Sequence, residues 1–305
     1  MTETIYKCLK ICLIMTDYVI KSYEEGFIEK QAEVGTEVVK EWSFFGQSSA
    51  EQLKQAYSRD DFDPETRLYC FKGNKLVGFL TAAINKNEEE KFAFLRLPFI
   101  LPRHEEVEDL LFNEIVEVLK KKDIKILRAE ASDKWGNTLD MIKKWDFEKK
   151  EVSFYALSAN LNEVALEVDE ALEVLPFDYE KDVEPMVEIF IKEYGYPEEA
   201  ARQNFENIRT FDQVIAHLIV RKDDKLVGRA LAYHTDDPKV AVNGMIHGDD
   251  DTKKALQAVI FEKSKESNVE SMNMLFGSQN KNLIPTYEQF GFKKVGKGVL
   301  FEREI

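Results

Sequence analysis

Three of the chain's four histidines, His217, His234 and His247, fall in its second half. Imidazole is the side chain whose ordinary pKa lets it take and return a proton near neutral pH. His247 closes an apolar stretch, KVAVNGMIH (239–247), and is followed by Gly248 and three consecutive aspartates, Asp249, Asp250 and Asp251. That order reads as the end of a strand meeting the start of a helix. Acidic residues there cap backbone N–H groups and complement the helix dipole. The cysteines offer less. Cys8, Cys12 and Cys70 are odd in number, have no metal-ligand spacing and sit beside Leu9, Ile11 and Phe71, so they read as reduced structural thiols. No Cys/His cluster, paired-carboxylate motif or Walker-type loop occurs, which leaves metal-dependent hydrolysis, glycoside cleavage and nucleotide hydrolysis without an anchor. The chemistry left is proton transfer by isolated groups.

Charge narrows the partners. A formal net charge of −15, with no Lys/Arg cluster, argues against nucleic acid, whose binding rests on cations that displace counterions from phosphates. An acidic surface favours a cationic amine, such as a polyamine, a lysine side chain or an aminoglycoside. No apolar run approaches the roughly 20 residues needed to span a bilayer, so no membrane is expected. The opening MTETIYKCLKICLIM has Glu3, Lys7 and Lys10 through it and alternates as a first β-strand rather than a targeting signal; the location expected is cytoplasmic.

These residues belong to an internal repeat. LYCFKGNKLVGFLTAAI (68–84) and LIVRKDDKLVGRALAYH (218–234) share Lys-Leu-Val-Gly 150 residues apart, and both read as β-hairpins. EDLLFNEIVEVLKKKDIKIL (108–127) and KKALQAVIFEKSKESNVESM (253–272) are amphipathic helices running into strands, offset by 145. Their apolar stripes are Val107, Leu110, Leu111, Ile115 and Val118, and Ala255, Leu256, Val259 and Ile260. KKWDFEKKE (143–151) and EQFGFKKVG (288–296) close each copy. Upstream, Thr16-Asp17 is placed to cap a helix over YVIKSYEEGFIEK, and Ser48-x-x-Glu51 reads as a capping box. In the second copy Asp182 is placed to cap VEPMVEIFIKEYG, and Pro197 to open the next helix. Each half reads β-α-α-β-β-β-α-β-α-β, with domains over 1–160 and 161–305 and a joint near 158–172.

That order, with NKNLIPTYEQFGF (280–292) matching N-x-x-A-x-x-x-Y-e-k-x-G-F at Asn280, Tyr287, Gly291 and Phe292, resembles the Gcn5-related N-acetyltransferase (GNAT) superfamily. The resemblance implies an α/β (α+β) fold of two tandem GNAT-like domains, each a mixed, mostly antiparallel sheet flanked by helices. It implies transfer of an acetyl group from acetyl-CoA, as cosubstrate, to an amine. The copies are not equal. In the first, Ile142 stands at the tyrosine position and Asp146 at the glycine, which leaves that copy as scaffold, dimer surface or substrate wall, with a homodimer as a further expectation. The family's R/Q-x-x-G-x-G/A loop, which seats a pyrophosphate on a helix N-terminus, is eroded in both. The first copy offers Arg103-His104-Glu105-Glu106-Val107-Glu108 and the second Gly248-Asp249-Asp250-Asp251-Thr252-Lys253.

By the same resemblance, the amides of Gly244, Met245 and Ile246 polarise the thioester carbonyl and Tyr287 protonates the leaving thiolate; no Glu lies on that strand, so His247 at its end, the nearest titratable group, is the candidate base ahead of His234, Asn243 and His217. Thr252, Lys253, Lys254 and Asn280 are then cofactor-binding, with Arg103 the one cation left at a phosphate position of the first copy. Two expectations stand side by side: an N-acetyltransferase whose second copy does the chemistry, or a non-catalytic tandem module that kept the fold without the cofactor.

Overall fold

The computed structural model describes residues 17–85, 90–166 and 172–305. The strand expected over the first fifteen residues, with Cys8 and Cys12, lies outside them. So does part of the 158–172 joint.

The first unit comprises residues up to Ser153 together with Lys297–Ile305. It opens with β1 (Tyr18–Ser22), α1 (Ile28–Val39) and α2 (Ala50–Tyr57). Strands β2 (Arg67–Lys72), β3 (Lys75–Ile84) and β4 (Phe92–Ile100) follow, then α3 (Val107–Lys121), β5 (Ile126–Ser132), α4 (Thr138–Lys144) and the start of β6 (Glu148–Asn160). The second unit, Phe154–Gly296, repeats the order: β7 (Val174–Pro176), α5 (Val183–Tyr194), α6 (Glu198–Arg209), β8 (Val214–Lys222), β9 (Lys225–His234), β10 (Val240–Asn243), α7 (Asp250–Glu266), β11 (Ser271–Gly277) and α8 (Ile284–Gln289). The last strand, β12 (Lys293–Glu304), starts there.

The compact units thus differ from the two sequence repeats. Residues 298–304 of β12 pair antiparallel with β5 of the first unit, and residues 154–160 of β6 pair antiparallel with β11 of the second. The sheets run β1-β2-β3-β4-β5-β12 and β6-β11-β10-β9-β8-β7. In each, the strand before the long helix pairs parallel with the strand after it, β4 with β5 and β10 with β11, and the other pairs described here are antiparallel.

The repeat extends to local detail. The β8–β9 turn puts Asp223 and Asp224 at φ 51° and 61°, the left-handed pair whose twist suits a two-residue hairpin. The register shift at Cys70/Phe71 recurs at Val220/Arg221. Gly291, φ 97°, ends α8 in a backbone that favours glycine, and Asp146 takes the matching position at φ 51°, where a short polar side chain is tolerated. The phenylalanine after each, Phe147 and Phe292, is buried.

Some local expectations are corrected. Residues 18–22 form β1, paired with β2, because the apolar Tyr18 and Ile20 alternate with exposed neighbours; the helix begins at Ile28. The capping box is Ser49-x-x-Gln52, one residue later than expected, with the Gln52 side chain reaching back to the Ser49 amide. Pro197 does open α6, but Asp182 caps nothing by side chain: its buried carboxylate accepts from the Asp178 amide and pairs with Arg221. The α3 stripe is rotated, burying Phe112, Val116 and Leu119 beside Val107, Leu111 and Ile115, and leaving Leu110 and Val118 at its margin. Each sheet has cores on both faces. In the second unit α7 and α8 cover one face, with Leu256, Ile260, Phe261 and Tyr287, while α5 and α6 cover the other with Met186, Val187 and Phe205.

Candidate active site

The site of the second unit grows from a divergence of strands. β10 runs parallel to β11 only over Val240, Ala241 and Val242. The chain then turns toward β9: the Gly244 amide donates to the Leu231 carbonyl at 2.8 Å, and His247 and Arg229 exchange backbone hydrogen bonds of 2.9 and 3.2 Å. β11 meanwhile stays with β6 as far as Gly277. Tyr287 reaches into the gap from α8, and its hydroxyl oxygen accepts the Ile246 N–H at 2.9 Å.

Of the three amides expected at a thioester, Gly244 is therefore excluded as a donor, because its hydrogen is spent on Leu231. Ile246 is held by the phenol. Met245 makes no backbone hydrogen bond among the described residues. Tyr287 is fully buried, its ring 5.0 Å from Phe276 and 5.6 Å from Phe290. Burial pushes its pKa up, with the Ile246 amide working the other way, so it stays a neutral proton donor at physiological pH. Asn243 is buried on the α7 side, donating to Gln257 Oε1 at 3.0 Å, and its own Oδ1 has no partner.

His247 lies near this gap. Its Nδ1 is 2.9 Å from the Tyr194 hydroxyl and 3.5 Å from Glu193 Oε2. Burial lowers its pKa first and foremost; Glu193 opposes that, and Lys253 and Arg229 reinforce it. The ring is neutral at pH 7, the form that accepts a proton. His234 is also half-buried with an unpartnered Nδ1, on the α7 face beside Ala241. His217 lies elsewhere, in a network under α5 and α6.

At the start of α7 the loop supplies its own anion. Asp249 takes an extended N-cap conformation and accepts the Thr252 amide at 2.8 Å; hydrogen bonding from the Thr252 side chain, and after it from this amide, holds its pKa down. The Thr252 methyl is packing: a Cβ on Gly228 would meet it at 2.2 Å, so glycine there is what lets the helix approach the strand. Asp250 and Asp251 face solvent, Lys253 lies 3.7 Å from Asp250, and Lys254 is exposed. Asn280 sits half-buried on the turn Ser278–Leu283. The loop thus brings Lys253 and Lys254 near the helix end, but a pyrophosphate fits it poorly while Asp249 occupies the Thr252 amide.

The first unit is less suited still. Arg103 is exposed at φ 72°, its amide donating to Glu105. Glu106 accepts from Tyr18, and Glu108, buried in the first turn of α3, accepts from Asn137 Nδ2 at 2.7 Å. A groove of about 480 Å³ runs past this helix start, with Glu37, Glu41, Glu105 and Glu108 in its wall against Lys40. Four carboxylates there repel a phosphate chain.

The residues missed from sequence are Arg229, Tyr194 and Tyr179. A signal existed. Aligning the repeats at Lys-Leu-Val-Gly places Arg229 where the first copy has the buried Phe79, a charge at a core position.

Among the described residues no helix is long and apolar enough to cross a membrane, and no group of His, Cys, Asp or Glu could hold a metal. No family model matches the chain, and no curated protein matches it. Solved structures do. A GCN5-related N-acetyltransferase from Sphaerobacter thermophilus aligns over 95% of this chain and 96% of its own, at 11% identity and a TM-score of 0.64. A tandem GNAT protein from the clavulanic acid biosynthesis pathway aligns over 94% and 98%, at 14% identity and 0.65. A GNAT-family acetyltransferase from Colwellia psychrerythraea aligns over 93% and 99%, at 15% identity and 0.65. With such alignments covering 93 to 95% of the chain, and with the same element order in each unit, the chain has the tandem GNAT fold.

Proposed function

We propose that the protein is an acetyl-CoA-dependent N-acetyltransferase whose chemistry lies in its second unit. The observation that carries this reading is the Tyr287 hydroxyl held at 2.9 Å from the Ile246 amide, where β10 and β11 part. A proton donor and the Met245 and Ile246 N–H groups are gathered there, which is what expulsion of a thiolate from a thioester requires. In this reading the Met245 amide, and the Ile246 amide once released, polarise the thioester carbonyl. Tyr287 gives its proton to the leaving sulfur, and neutral His247 takes one from the attacking amine, directly or through water. Lys253, Lys254 and Asn280 face the CoA phosphates. The acceptor is an amine of a small molecule or a lysine side chain, the compartment is the cytoplasm, and the chain associates as a homodimer.

A second reading rests on its own observation. Asp249 already occupies the Thr252 amide at 2.8 Å, and Glu108 is buried in the first turn of α3, so each helix start carries an anion of its own. That favours a non-catalytic module that kept the fold and gave up the cofactor. Calorimetric titration with acetyl-CoA and CoA at physiological salt separates the two. Binding, followed by thiol release with amine acceptors, supports the transferase; no heat at millimolar ligand supports the module.

A further inference from the structure

Arg229 is 7% exposed, yet among the described residues no carboxylate lies within ion-pair distance of it. Its Nε–H donates to His217 Nε2 at 2.8 Å, and its Nη2 has no hydrogen-bond partner among the described residues. The guanidinium sits over the rings of Phe205 and Phe190, 5.1 and 5.6 Å from their centres. Arginine does not lose its proton in such a place, and removing one partner from a buried pair is among the costlier changes a fold can suffer. Scarcity of acid is not the reason, since the chain has 57 Asp and Glu against 42 Lys and Arg, and Arg221 nearby is paired with the buried Asp182.

The surroundings supply donors. Because His217 Nε2 accepts from Arg229, its proton is on Nδ1 and points at the Tyr179 oxygen 3.0 Å away. The Tyr179 hydrogen is then left to give, as is that of Arg229 Nη2. The ring, stacked 3.8 Å from Phe177, is neutral and offers no countercharge. What this network lacks is an acceptor with negative charge. The backbone of Arg229 is bridged to that of His247, so the guanidinium's strand is tied to the proposed base. Its cover is α5 and α6, whose Phe190 and Phe205 rings lie against the guanidinium, so a ligand reaches it only when these helices move aside.

We propose that Arg229 receives a carboxylate of the acceptor, so that the substrate class is an amine bearing a carboxylate, such as an amino acid or a peptide terminus. This rests on the transferase reading for its purpose, though not for the binding itself.

The test uses the full chain without CoA. Calorimetric unfolding is followed at constant ionic strength as chloride is replaced by acetate, with methylammonium as the control for the amine. Acetate should raise the unfolding temperature saturably in the wild type. Arg229→Met should lose at least about tenfold in apparent acetate affinity, while its own unfolding temperature without acetate is equal or higher. Arg229→Lys should keep part of the response. No saturable response in the wild type overturns the proposal, whether or not the methionine variant folds; so does an equal response in Arg229→Met or Arg229→Lys lacking any. Chloride or sulfate acting as well as acetate, an adventitious ion only, overturns it too. An acetate response without CoA binding would leave the anion site standing and remove the transferase reading. Turnover on carboxylate-free amines as fast as on carboxylate-bearing ones would remove the substrate class alone.

Discussion

Tyr287→Phe separates chemistry from packing because the phenol does two things at once. The ring is fully buried among Phe276, Phe290 and Phe292, and phenylalanine fills that space almost unchanged. The hydroxyl, however, accepts the Ile246 N–H, itself buried. Deleting the oxygen leaves that amide unsatisfied, which costs about 1–3 kcal/mol. For a unit of this size the cost appears as a drop of roughly 2–12 °C in its unfolding temperature. It also appears locally: hydrogen exchange at the Ile246 amide should quicken by about 5- to 150-fold, the same free energy read at one site. If Tyr287 protonates the thiolate, kcat falls by about 10²-fold or more with CoA affinity little changed. Unchanged Ile246 exchange would refute the hydrogen-bond argument. Full turnover would remove Tyr287 from the mechanism and pass its role to water or His247.

Asp249→Ala should cost about 1 kcal/mol as a lost N-cap, read by thermal unfolding, while CoA binding tightens because the Thr252 amide is released. His217 is held by burial at about 2, against 6.5 unfolded, so below pH 6.5 the unfolded chain takes a proton the folded one refuses. Stability should therefore fall with pH, by about 2 kcal/mol at pH 5 from this group alone, with half-buried His247 adding to the trend. His217→Asn should flatten the slope; a slope unaltered by it would contradict the assignment. Removal of Lys297–Ile305 takes the β12 segment from β5, together with the Glu302 pairs to Arg128 and Lys150, and should unfold the first unit. Because Trp42, Trp135 and Trp145 all lie in that unit, intrinsic fluorescence reports it selectively, and an unshifted emission transition would count against it.

Much of this architecture is written locally, and so was legible in the residues. The Lys-Leu-Val-Gly hairpins, the long amphipathic helices and the two buried phenylalanines depend on turn chemistry and periodicity within about twenty residues, and each appears twice. Those features gave the element order of both units and put Tyr287 on its helix. Elsewhere local signals misled. Tyr18 and Ile20 fit a helix stripe as well as a strand face, and only pairing with β2 chose the strand. Partners 86 to 178 residues apart were beyond any spacing argument: Tyr18 on His104, Arg128 on Glu302, and β12 on β5 rather than in its own copy. The same holds within the site. The sequence offered three amides as equals, and the fold spent Gly244 on Leu231 and Ile246 on Tyr287, because a backbone N–H takes whichever acceptor the tertiary contacts bring to it. Arg229 shows the division most plainly. Its departure from Phe79 is visible in the repeat, but that the charge is buried without a carboxylate among the described residues is a property of three-dimensional neighbours alone.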